Sequence, residues 1–332
     1  MATTRGNTDR AEEARGSRGH RARGGSAEAP TQIPVAGWKD ILQRTKDEVK
    51  SDNVSILAGG VAFYWMLSLF PFAIAALSVY GLVANPDDVT RLVRQVEGTV
   101  PDSVAGLLND QLSSIAGSSG GSLTLGLIGS VLFALWSASK GAGALIKATN
   151  VAFDEEETRG FVRLRILALA LTVAFLVVMM LSIAFIAVVP NILEGTPFDT
   201  VFSVLRWPAL AAVATVGLAS LYRYAPDRDE PRWQWVSLGA VLATVLWLIG
   251  SSLFSLYANN FASFNETYGS LSAVIVLLLW LNLTAFVVLV GAEINAETEH
   301  QTLRDSTEGS EQPLGQRGAY AADTVGERVA AE

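Results

Sequence analysis

The sequence predicts an all-α polytopic membrane protein: a bundle of six transmembrane helices with short amphipathic extramembrane helices. Two observations carry that prediction. Six stretches between Val54 and Ala296 are each long and apolar enough to cross a bilayer. The clearest, Ile166–Val189, is twenty-four residues without a charge, and about 20 residues rising 1.5 Å each cover a hydrocarbon core ~30 Å thick. Second, the apolar residues that make up 50% of the 332-residue chain are segregated rather than dispersed. Residues 1–36 and 298–332 are instead rich in Gly, Ala, Ser, Thr, Glu and Arg, with few large apolar side chains to offset ordering entropy. Both are expected to be disordered cytoplasmic tails flanking a six-helix transmembrane domain over 37–297.

Taken in order, Trp38, Ile41, Leu42 and Val49 fall at helical spacing opposite Lys39, Arg44, Lys46 and Lys50, the pattern of a helix lying on an anionic membrane surface. Residues 1–53 are mostly polar, so the first span is expected to be an uncleaved anchor. That span, 54–83, contains Pro71, which removes a backbone hydrogen bond and is expected to kink the helix. Residues 84–122 form the longest internal connection. Asn85-Pro86-Asp87-Asp88 and Pro101-Asp102 each open a short amphipathic helix there, followed by a flexible Gly/Ser run.

The second span, 123–148, sets Gly126, Ser130, Ala134, Ala138 and Ala142 at four-residue intervals, a strip that admits a close helix neighbour. The remaining spans are 166–189, 201–222, 235–257 and 271–292. Eleven Lys and Arg residues lie in the connections on one side and three on the other, which predicts cytoplasmic termini with 84–122, 190–200 and 258–270 outside.

Composition also excludes function classes. With no cysteine there is no disulfide, thiolate nucleophile or Cys-bound metal, and the two histidines, His20 and His300, lie in or beside the tails. A net charge of −8 argues against a nucleic-acid partner. There is no phosphate-binding loop for direct ATP use.

Several strings in order resemble the YihY/BrkB family of bacterial inner-membrane proteins, formerly labelled ribonuclease BN. They are Tyr64 with Leu67-Ser68-Leu69-Phe70-Pro71, Trp136-Ser137-Ala138-Ser139 through Asn150, and Asp154 through Phe161. Leu221-Tyr222-Arg223-Tyr224-Ala225-Pro226, Tyr268-Gly269-Ser270-Leu271, Trp280 and Gly291-Ala292-Glu293-Ile294-Asn295-Ala296 follow, so the likeness covers 38–297. The resemblance implies a six-helix inner-membrane protein with cytoplasmic ends and assigns no reaction. A metal nuclease needs converging carboxylates or histidines. The one acidic run, Asp154–Glu157, has four adjacent side chains pointing different ways, so no enzyme is expected.

The candidate contacts for a substrate or lipid headgroup are Lys140, Lys147, Asn150, Asn282 and Glu293. Lys140 lies about seventeen residues into its span, roughly 26 Å from the outer end, where its stem can lift the ammonium to water. Lys147 shares its face seven residues on, with Trp136 and Asn150 near the same stripe. Together they offer cations to a group such as a lipid phosphate. Asn282 sits mid-depth in the last span, as helix glue or as the lining of a polar cavity. Glu293 reaches the depth of Lys140 and is a candidate partner for it. Pro71, Tyr268 and Gly269 are assigned structural roles. The function expected is transport or translocation of a lipid or amphiphilic anion, with membrane lipids as partners. The alternative is a non-catalytic scaffold that binds further copies of the chain (a homo-oligomer) or other envelope proteins. No cofactor or metal is expected.

Overall fold

The computed structural model describes residues 21–83, 125–193, 199–260 and 271–326. An amphipathic helix α1 (Val35–Ser51) precedes α2 (Val54–Val83), α3 (Leu125–Ala152), α4 (Phe161–Leu193), α5 (Asp199–Tyr224), α6 (Trp233–Asn260) and α7 (Leu271–Glu299), and a single turn α8 (Tyr320–Asp323) follows. The described residues contain no strand, only an isolated bridge between Pro231 and Thr307. The short helices expected within 84–122 lie outside the described residues.

The six helices α2–α7 are long and apolar enough to span a membrane. Their large side chains are turned outward: Phe133 is 71% exposed, Trp207 65% and Leu253 61%. In water so much contiguous apolar surface would aggregate, whereas hydrocarbon solvates it at no cost. The protein is an all-α polytopic membrane protein. Its helices outrun the apolar spans: α4 starts at Phe161 and α7 continues to Glu299. Hydropathy marks only the lipid-soluble part, and backbone hydrogen bonding carries the helix on into polar turns. Both α2 and α5 stay continuous through an internal proline, Pro71 and Pro208.

The chain divides into two compact units. One comprises residues 60–145 and 160–210. Its core is small: Ala75, Ala134 and Leu176 pack with Phe72, Ile74, Leu135 and Met180. On the small-residue face of α3, Ala134 packs with Ala75 of α2 and Leu176 of α4, and off that strip a Cβ on Gly141 would press against Trp65 and Ser68 of α2. Across to α4, the Arg165 guanidinium lies 3.9 Å from the centre of the Trp136 ring.

The other unit comprises residues up to Gly59, 146–159 and from Ala211 onward. Here α6 and α7 touch backbone to backbone: a Cβ on Gly239 would collide with the Gly291 carbonyl and with Asn295. Asn295 is fully buried, accepting from the Gly239 N–H at 2.8 Å and donating to the Val236 carbonyl at 3.1 Å. The Trp247 indole donates to Thr284 at 3.1 Å, Trp280 to Ser251 at 3.2 Å, and the Tyr222 hydroxyl to the Val288 carbonyl at 2.7 Å. Such bonds hold helices together where lipid supplies no hydrophobic drive between them.

One expectation is corrected in this unit. The apolar side of α1 faces protein, not lipid headgroups. Ile41 is fully buried and packs with Ala27, Ile33 and Trp235, with Trp38 beside them. The exposed side carries Lys39, Leu42, Gln43, Lys46 and Lys50. Residues 21–36 and 298–326 also make contacts in this unit. Arg317, 4% exposed, donates to the carbonyls of Ala322, Leu303, Arg304 and Gln312. Thr302 and Gln301 tie to the Ala27 and Arg23 carbonyls. Hydrogen bonds from the Arg317 guanidinium, charge-assisted and stronger than neutral ones, carry most of these contacts in the C-terminal segment. Residues 1–20 and 327–332 lie outside the described residues.

Candidate functional site

The charged ends of the helices in this second unit form two contrasting neighbourhoods. The first is a clasp between the α3–α4 and α5–α6 turns. Asn150, 3% exposed, donates to Glu157 at 2.9 Å and accepts from the Asp227 N–H at 2.9 Å. Arg159 grips Glu157 at 2.7 and 2.8 Å and reaches the Ala225 carbonyl at 2.9 Å. Asp227 in turn accepts from the Thr158 N–H and hydroxyl at 2.6 and 2.7 Å. Hydrogen bonding to Arg159 holds the Glu157 carboxyl below its ordinary range. Burial pushes Asp227 up, but the donors of Thr158 and the charge of Arg159 outweigh it and bring it down. Close by, Arg228 and Glu299 form a wholly buried ion pair at 2.6 Å, with Phe153 5.0 Å beneath the guanidinium and Ser306 donating to the carboxylate at 2.8 Å.

The second neighbourhood is acidic and lacks such partners. Glu293 stands on α7 within electrostatic reach of Asp52, Glu48, Asp154 and Glu297. Only Glu297 is paired, accepting from Arg44 and lying 3.1 Å from His300 Nδ1. Arg44 also donates to the Glu297 carbonyl at 3.0 Å and to the Gln301 side chain at 2.9 Å. Asp52 is pushed up to about 6 by burial and by the charges of Asp154 and Glu48. Glu48 and Asp154 are raised as well, by burial foremost. Asp154 holds a left-handed backbone, φ 54°, which turns the chain out of α3.

The residues singled out from sequence fall unevenly on this frame. Lys140 and Lys147 are exposed along α3, and neither makes a hydrogen bond or ion pair among the described residues. Asn150 is engaged in the clasp through both ends of its amide. Asn282 is half-buried in the middle of α7, its amide nitrogen facing Gly59, with no hydrogen bond among the described residues. Glu293 is 2% exposed, and its Oε1 has no partner. Lys140 and Glu293 belong to different units. Pro71 lies within α2, and Tyr268 and Gly269 lie outside the described residues. Arg44, Glu48, Asp52, Arg228 and His300 were not expected at a site. One signal was available: Glu293, Glu297 and His300 are spaced four and three apart, on one helical face.

A multi-pass helical membrane protein with charged, partly unpaired groups at its helix ends is the class that fold and site define. The chain belongs to the virulence factor BrkB family, whose profile matches residues 45–315. It is 33% identical over 245 residues to a putative ribonuclease-like protein, YfkH, of Bacillus subtilis, covering 71% of this chain and 86% of that one. It is 26% identical over 255 residues to a UPF0761 membrane protein of Alteromonas mediterranea, covering 74% and 82%. A UPF0761 membrane protein of Vibrio cholerae is 35% identical over 116 residues, 33% of this chain and 38% of that one. No solved structure matches the chain.

Proposed function

We propose that the protein is a transporter or translocase of a lipid or amphiphilic anion in a bacterial inner membrane, with both termini cytoplasmic. One observation carries this reading. Lys140, Asn282 and Glu293, all on membrane-length helices, have no hydrogen-bond or ion-pair partner among the described residues. Polar groups in such helices are costly, and they are retained where they face a partner, water or a substrate path. A pure scaffold has no use for them, and the small-residue contacts at Gly141, Gly239 and Gly291 are spent on neighbours within the chain. The ribonuclease-like name of the Bacillus relative is not extended to this chain. Among the described residues no three His, Asp or Glu side chains converge to hold a metal ion.

The test is flux of fluorescent phospholipids and of organic anions through vesicles containing the full chain. Flux above empty vesicles that falls at least about tenfold in Lys140→Met, roughly the loss of one ~1.4 kcal/mol interaction, is the expected result. Absence of flux for every substrate class, or an unimpaired Lys140→Met, counts against the reading.

A further inference from the structure

The Glu293 carboxyl is buried and poorly compensated. It is 2% exposed, its Oε1 has no donor, and no guanidinium, ammonium or imidazole bonds to it. The charges within its electrostatic reach are acidic: Glu48 of α1, Asp52 of the α1–α2 turn, Asp154 at the end of α3 and Glu297 of its own helix. Arg44 and the His300 ring are both engaged with Glu297. A second buried group beside them is also unsatisfied: His300, 7% exposed, has a partner at Nδ1 and none at Nε2. An ionised carboxylate in such a place costs several kcal/mol with nothing to offset it.

Something must neutralise Glu293, and the donor geometry limits what. A metal ion would need several ligands converging on one point, and no group of three among the described residues does so. A proton needs a single oxygen. Two of these neighbours reach the surface: Asp52 is half-buried and Asp154 exposed.

We propose that Glu293 is a proton-binding site that exchanges with solvent through Asp52 and Asp154 and serves as the coupling-ion site of the transport cycle. On release the O–H bond of the Glu293 acid breaks, and the proton passes to the Asp52 or Asp154 carboxylate and then to water. Uptake reverses those steps. Asp52, held at about 6 by burial and its acidic neighbours, changes charge near neutral pH and so sets when the exit is open. The coupling role rests on the transport reading, whereas the proton site does not.

Infrared difference spectroscopy on the full chain in nanodiscs separates the two. Titrated over about pH 5 to 8, the wild type is expected to show a carboxylic-acid band that exchanges slowly with deuterium. Glu293→Gln abolishes that band, and Asp52→Asn shifts its titration. The same band persisting in Glu293→Gln overturns the proposal, as does its removal by sodium or calcium at constant pH. If Glu293→Gln does not accumulate, the wild type decides alone, because absence of any slowly exchanging acid band over that range overturns the proposal. In vesicles, Glu293→Gln is expected to abolish the effect of a pH gradient on flux. A band with no flux in any vesicle counts against transport while supporting the proton site. Flux that ignores the pH gradient overturns the coupling.

Discussion

The clasp and the acidic neighbourhood use the same side chains at adjoining helix ends and treat them in opposite ways. In the clasp every carboxylate meets donors: Glu157 has Arg159 and Asn150, Asp227 has Thr158, and Glu299 has Arg228 and Ser306. Among the described residues Glu293, Glu48, Asp52 and Asp154 have no side-chain hydrogen-bond donor, and Glu297 engages both Arg44 and His300. A paired carboxylate is held in its charged form and ties two turns together. An unpaired one is left able to change charge. The carboxylates at these helix ends therefore divide into a paired set and an unpaired set, a division that neither residue type nor spacing announces.

Removing one member of a pair should do the most damage. Arg228→Met leaves Glu299 buried without a counter-charge, and breaking a buried pair costs about 3–5 kcal/mol. The expected result is a large fall in thermal midpoint in detergent, partly recovered when Glu299→Leu is added. A single variant as stable as wild type would erase the difference between the two neighbourhoods.

The pH dependence should separate them next. Asp52 has a carboxyl raised from 3.8 to about 6, so the folded state holds more protons than the unfolded one between those values. Its contribution to stability is present at low pH and is lost as pH rises toward 6. Glu157 and Asp227 are lowered, so their contribution is full above the ordinary carboxylate range and is lost as pH falls below it. Asp52→Asn should therefore flatten the loss on the neutral side and leave the acid-side loss unchanged. A profile altered only on the acid side would contradict the assignment.

How much of this was legible in the sequence follows from what the bilayer demands. Lipid enforces uninterrupted apolar runs, so Ile166–Val189 could be read as a span and only its polar extensions were missed. Lys140, Asn282 and Glu293 stood out because each interrupts such a run. Partners were invisible, since Arg44 meets Glu297 from 253 positions away and Arg228 meets Glu299 from 71. The inward face of α1 was misread for the same reason: Ile41 packs on Trp235, and an amphipathic pattern does not say whether protein or lipid takes the apolar side. The hydrogen bonds of Arg317 and Asp305 in the C-terminal segment were not legible either, because such bonds, unlike apolar burial, leave little trace in composition.

The smallest effects give the sharpest contrast, because they differ in sign. Thr158→Val removes one hydroxyl bond to Asp227 and keeps the backbone N–H bond, so it should cost about 1 kcal/mol. Asp154→Asn, only four residues earlier, removes a charge that repels Asp52, Glu48 and Glu293. Asparagine tolerates the left-handed backbone at that position as aspartate does. With no donor lost and repulsion relieved, it should leave stability unchanged or raise it by up to about 0.5 kcal/mol. Thermal midpoints of both variants in detergent near neutral pH make the comparison directly. If Asp154→Asn falls as far as Thr158→Val, Asp154 has a stabilising role in the fold and does not belong with the unpaired carboxyls around Glu293.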